Sequence, residues 1–204
     1  LQDFRDLFSS EVLRPGLELG IANVVLLFSD LKDSTLLYET RGDAPAFSLV
    51  QDHFKIMIDA IRERGGGVVK TIGDAVMAVF TSEADALRAA LQILEAFETW
   101  NSTHPDDQQI IIKLGLHMGP CIALRLNDKL DYFGSTVNKA ARVQGASTGG
   151  DLIVSERVFR SPEVAAILGK TPRLSVSEFR AELKGIAGQS TLYRLTLASR
   201  ADAK

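Results

Sequence analysis

Apolar residues along this chain fall into short unbroken runs alternating with longer stretches spaced by threes and fours, which predicts strands interleaved with helices. Val24-Val25-Leu26-Leu27-Phe28 is continuous, so residues 23–29 are expected to form a strand covered on both faces. The run ends at Asp30, and Asp33-Ser34-Thr35 offers a helix start. Over residues 44–63, Phe47, Val50, Phe54, Met57, Ile58 and Ile61 mark one side of a helix that Gly65-Gly66-Gly67 stops. Residues 68–72 and 75–80 are two apolar stretches joined by Gly73-Asp74, the pattern of an antiparallel hairpin. A second helix is expected over 83–100, then a polar loop over 101–107.

Further along, residues 110–117 and 121–126 read as two strands separated by Gly119-Pro120, and 134–144 as an alanine-containing helix. A short strand over 151–155 precedes brief helices within 156–168, split near Ser161-Pro162. Residues 176–183 and 191–197 form a closing pair of strands around 185–188. The order predicts an α+β domain with a ferredoxin-like βαββαβ core, an antiparallel-rich sheet and helices on one face. Residues 1–20 read as a lead-in, 21–198 as a single domain and 199–204 as a tail.

Composition narrows the function. The 204 residues carry 23 Lys and Arg against 26 Asp and Glu, a formal net charge of -3, without the basic excess of a nucleic-acid surface. A polyanionic small molecule stays open, since a few local cations and a metal can hold phosphates in an acidic protein. The single cysteine, Cys121, cannot form an intrachain disulfide, and no apolar run reaches the length of a membrane span, so a cytoplasmic setting is expected. The chain starts at Leu1, and neighbouring regulatory domains in a longer protein are expected.

Neither a Walker A loop nor GxGxxG is present. Asp30 at a strand end and Asp74 in a hairpin turn could converge and hold hard divalent cations, although the same residues also suit a helix cap and a plain turn. His117, at a strand end, reads as structural, and no zinc spacing is visible.

Four blocks and a weaker fifth, in order, resemble the class III adenylyl and guanylyl cyclase catalytic domain. They are Leu27-Phe28-Ser29-Asp30-Leu31, the stretch 69–80 (VKTIGDAVMAVF), 114–120 (LGLHMGP), 131–142 (DYFGSTVNKAAR), and Leu183-Lys184-Gly185 with Thr191-Leu192-Tyr193. The resemblance implies that Asp30, Asp74 and the Leu31 carbonyl bind two Mg²⁺ or Mn²⁺ ions per site. It implies that Lys70 and Asp131 read the purine, donating to adenine N1 and accepting from its 6-amino group. Asn138 and Arg142, four residues apart on one helix face, would act in the transition state, and Lys184 would contact the terminal phosphates. The implied activity is adenylate cyclase, converting ATP to cyclic AMP and pyrophosphate. The implied assembly is a head-to-tail homodimer, or a heterodimer with a related chain, with sites shared between chains. Guanylate cyclase activity and a silent nucleotide-sensing module are the alternatives. Two departures stand out: Asp33-Ser34 replaces the family's Gly-Phe, and 123–129 lacks its glycine-rich dimer-arm pattern.

Overall fold

The computed structural model describes residues 19–34, 38–39, 42–126 and 129–198. The expected lead-in up to residue 18, the tail from 199, and Thr35 of the expected helix start lie outside them. Eight strands form one sheet. They are β1 (Leu19–Leu31), β2 (Gly67–Ile72), β3 (Ala75–Phe80), β4 (Ile112–Leu126), β5 (Lys129–Phe133), β6 (Asp151–Ser155), β7 (Leu174–Glu182) and β8 (Gln189–Leu197). The helices whose bounds are described are α1 (Asp43–Glu63), α2 (Glu83–Thr103), α3 (Ser135–Gly145), α4 (Glu156–Phe159) and α5 (Pro162–Leu168).

The sheet order is β2-β3-β1-β4-β6-β8-β7, with β5 also paired to β4. Its first four strands are mutually antiparallel, the ferredoxin-like arrangement, and β6 joins β4 in parallel after the α3 crossover. β1 is central because both of its faces are apolar. Val25, Leu27 and Leu31 join the core beneath α1 and α2, while Val24, Leu26 and Phe28 join a second core containing Met77, Tyr132 and Ala140 of α3. Fully burying each such side chain contributes about 1.5–3 kcal/mol. Helices therefore cover both faces, correcting the one-face expectation. Gly115 of β4 makes that possible: a Cβ there would collide with the Gln144 backbone of α3, so helix and strand touch main chain to main chain.

Other expectations shift. The first strand begins at Leu19, inside the expected lead-in, and not at residue 23. Asn101 to Thr103 extend α2, and the loop that follows contains a short 3₁₀ turn over Asp106–Gln108. Gly119-Pro120 does not divide β4, which runs unbroken. The Pro120 carbonyl accepts from Thr136 Oγ1 at 2.6 Å on the side away from β1, so the missing N–H also faces away and costs no ladder bond. Phe47 is exposed on α1 (58%), whereas Ala46, Leu49, Val50, His53, Met57, Ala60 and Ile61 are buried. Among the described residues no helix is long and apolar enough to cross a membrane.

Candidate active site

The hairpin β2–β3 turns at Gly73, whose φ of 62° glycine adopts without strain, and presents Asp74 just before β3. β3 pairs with β1 from Val25↔Phe80 to Phe28↔Met77. One step further, Ser29 Oγ accepts from the Val76 backbone N–H at 3.0 Å. This buried bond ties the turn to the end of β1, where Asp30 stands opposite Lys113 of β4. The Asp30 carboxyl is pushed above the usual carboxylate range, first by burial and then by the negative charge of Asp74. Lys113 and the Leu31 backbone N–H pull it back in part. Asp74 Oδ2 is buried and has no hydrogen-bond partner.

A pair of mutually repelling carboxylates with an orphaned buried oxygen fits a hard divalent cation, which would satisfy that oxygen and cancel the repulsion. Among the described residues no group of three or more His, Cys, Asp or Glu could hold a metal ion. Two oxygen-bearing carboxylates match the preference of Mg²⁺ or Mn²⁺, which draw further ligands from water and phosphates. Leu31, whose carbonyl was expected to serve as a ligand, closes β1 and is buried. Asp33 follows in the left-handed region (φ 57°), exposed to solvent.

Behind this end lies His53 of α1, fully buried against Phe54 and Phe97 with both ring nitrogens unpartnered. Burial lowers its pKa to about 4, against the upward pull of Asp74, so the ring is neutral at pH 7. Sequence reading passed over it, because a histidine within an apolar helical stripe carries no signal of its own.

A second constellation joins residues 61 positions apart. Lys70 Nζ of β2 donates to both carboxylate oxygens of Asp131 on β5, at 2.9 and 2.7 Å. Asp131 Oδ1 also accepts from the Tyr132 backbone N–H at 2.8 Å, and Lys70 Nζ sits 5.6 Å from the Phe133 ring centroid. β2 and β5 touch although β3, β1 and β4 intervene in the sheet order, which requires the sheet to curl. Both side chains keep solvent access, 39% for Lys70 and 26% for Asp131, so a ligand can reach them. Exposed Ile72, Leu130 and Phe133 belong to the same two strands.

Asn138 and Arg142 are exposed on α3, opposite buried Thr136, Ala140 and Val143. Neither side chain makes a hydrogen bond or ion pair among the described residues. Lys184 is exposed in the β7–β8 connection, beside Gly185 at φ 78°. Asp30 and Asp74 are thus brought together, as are Lys70 and Asp131, and as are Asn138 and Arg142. No hydrogen bond or ion pair links one pair to another within the described chain. His117 hydrogen-bonds Ser155 Oγ through Nδ1 at 2.8 Å, in keeping with a structural role.

A family model described as the adenylate and guanylate cyclase catalytic domain matches residues 19–195. An adenylate cyclase of Lachancea kluyveri is 34% identical over 174 residues, covering 74% of this chain and 9% of the relative. Human guanylyl cyclase C is 31% identical over 186 residues, covering 85% of this chain and 17% of the relative. The chain therefore spans only a small part of these relatives. The crystal structure of the adenylyl cyclase CyaB from P. aeruginosa superposes with a TM-score of 0.71 at 20% identity, over 90% of this chain and 98% of that one. That likeness concerns the fold.

Proposed function

The chain belongs to the adenylate and guanylate cyclase catalytic domain family, and from that premise we propose that it is an adenylate cyclase acting on ATP at sites shared by two copies in a head-to-tail homodimer. The observation carrying the choice of ATP is the Lys70–Asp131 pair, a donor and an acceptor held side by side and open to solvent. Adenine presents the complementary edge: N1 accepts from Lys70, and the 6-amino group donates to Asp131. Guanine at the same place would oppose donor to donor and acceptor to acceptor, costing roughly 1–3 kcal/mol per mismatched group.

The reaction is an internal displacement. The ribose 3'-oxygen forms a bond to the α-phosphorus, the bond from that phosphorus to the bridging oxygen breaks, pyrophosphate leaves with the electron pair, and the hydroxyl proton is released. Two Mg²⁺ or Mn²⁺ ions, when held by Asp30, Asp74 and the Leu31 carbonyl, supply Lewis acidity toward the phosphate oxygens and the hydroxyl. Because both reacting atoms belong to one substrate, the protein's task is to fold ATP and manage charge. Asn138 orients the ribose. Arg142 holds an α-phosphate oxygen as charge builds there, and Lys184 holds the terminal phosphates. Exposed Ile72, Leu130 and Phe133 support covering by a second copy, which would bring its own Asn138 and Arg142 to the carboxylates.

The match to human guanylyl cyclase C favours a second reading, the same chemistry on GTP. Product formation from ATP and from GTP, with Mg²⁺ and then Mn²⁺, over a range of protein concentrations separates the two. The expected result is cyclic AMP at a rate rising more than linearly with protein. Cyclic GMP as the main product would overturn the choice of base, and a folded dimer with no product under any condition would overturn the enzyme.

A further inference from the structure

A cavity of about 300 Å³ opens between α3, the start of α4 and the β7–β8 connection. Lys139 and Arg157 lie on its wall with His117, Ser155, Ser190 and Thr191. None of these residues has a part in the proposed cyclase chemistry.

The charges on this wall are unbalanced. Neither Lys139 nor Arg157 has an ion-pair or side-chain hydrogen-bond partner among the described residues. The one carboxylate on the wall, Glu156, is already committed: its Oε1 accepts from Arg160 Nε at 2.8 Å and lies 2.7 Å from Arg160 Nη2. In a chain with net charge -3, two uncompensated cations facing one hollow are not a by-product of overall basicity. Both act on buried His117, whose pKa falls to about 4, through burial first and then through Lys139 and Arg157. The imidazole is therefore neutral at pH 7. Its Nδ1 is engaged with Ser155 Oγ, and its other nitrogen makes no hydrogen bond among the described residues. The hollow thus offers two full positive charges, three hydroxyls and a neutral ring. An anion with several acceptor oxygens satisfies that set, whereas a metal cation or an apolar ligand does not. The volume is at the small end for ligand pockets, of the order of 300–1,000 Å³, which suits an inorganic ion better than a whole nucleotide.

We propose that this cavity is a binding site for a small inorganic oxyanion of the phosphate class, held by Lys139 and Arg157 with the hydroxyls of Ser155, Ser190 and Thr191. Its occupant would bridge α3, α4 and β8. Lys139 adjoins Asn138, and the wall runs on from the loop that carries Lys184, so occupancy would stiffen both elements assigned to substrate binding.

The test titrates orthophosphate into the whole chain, labelled at histidine and kept free of divalent metal, while NMR follows the His117 resonances, assigned with His117→Asn. The expected result is a saturable His117 shift that the double variant Lys139→Gln, Arg157→Gln weakens roughly tenfold or more, as loss of charge-assisted hydrogen bonds requires. Both substituted side chains are partly or largely exposed, and an unchanged thermal midpoint certifies the variant's fold. A parallel titration with pyrophosphate distinguishes the sources. Tighter binding than orthophosphate points to the displaced product, and equal or weaker binding to free phosphate; either supports the site. No saturable shift, an equal shift in the double variant, or a shift lost in Lys184→Ala but kept in the double variant overturns it, the last by placing the anion at the β7–β8 loop. None of these readouts depends on cyclase activity.

Discussion

Asp131 accepts two hydrogen bonds from Lys70 and one from the Tyr132 backbone, and its charge is cancelled within the chain. Asp74, reached through the same hairpin as Lys70, has a buried oxygen with no partner and faces the charge of Asp30. One sheet thus holds a finished carboxylate and an unfinished one. The finished site can be stable before any ligand arrives, and the proposed purine would need only to rearrange donors and acceptors already in place. The unfinished site carries a standing electrostatic cost that a divalent cation would relieve. Stored repulsion of this kind marks where binding energy is to be gained, while a satisfied pair marks where selectivity is set.

The contrast is broken most severely at the unfinished end. If Asp30 and Asp74 hold the proposed ions, Asp74→Asn or Asp30→Asn should lower cyclic nucleotide formation about a hundredfold or more, because each would remove a ligand to ions worth several kcal/mol in the transition state. The metal-free thermal midpoint should hold or rise, since repulsion is relieved. Near-normal turnover in either variant would remove that residue from the metal site.

At the finished end, Lys70→Ala should leave the chemistry in place and erode selectivity. The ratio of kcat/KM for ATP over GTP should fall roughly tenfold to a hundredfold, the equivalent of one or two mismatched groups. An unchanged ratio would mean that the pair does not read the base.

Ser29→Ala probes the tie between the β2–β3 turn and the end of β1. It strands the buried Val76 N–H, so urea unfolding should show a loss of about 1–3 kcal/mol, accompanied by reduced turnover as Asp74 loses its fixed position. Unchanged stability would show that the hairpin needs no such tie.

The smallest effect belongs to His53. Its pKa of about 4 in the folded chain lies below the ordinary value of 6.5. As pH falls through that interval, the unfolded chain takes up a proton that the folded chain refuses, so stability declines. His117, lowered to the same value, contributes over the same interval, so His53→Phe should make this part of a thermal-midpoint profile shallower without flattening it, and an equal decline in the variant would assign the proton elsewhere.

β1 to β3, the two halves of β4 and the main helices were legible because their apolar runs and helical spacings hold over long spans. What escaped had particular causes. β5 was missed because Leu130 and Phe133 are exposed while Tyr132 between them is buried, so no apolar run marks it. The Gly119-Pro120 interruption failed because the Pro120 edge lies in the gap between the two segments, β6 and β5, that pair with that side of β4. Phe47 fits the helical spacing of α1 yet is exposed, a matter of tertiary position rather than pattern. The carboxylates could be suspected from strand end and turn. Pairing Lys70 with Asp131 depended on the curl of the sheet, which spacing does not encode and the family resemblance supplied.

The central claim is that two copies complete each other's sites, and mixing disabled chains tests it most directly. Asp30→Asn and Arg142→Ala, each inactive alone, are combined in equal amounts, and cyclic AMP is measured from ATP. The account predicts that activity returns, because a mixed dimer contains one site with neither lesion. Mixtures that demonstrably form the mixed dimer yet stay as inactive as the separate variants would contradict it.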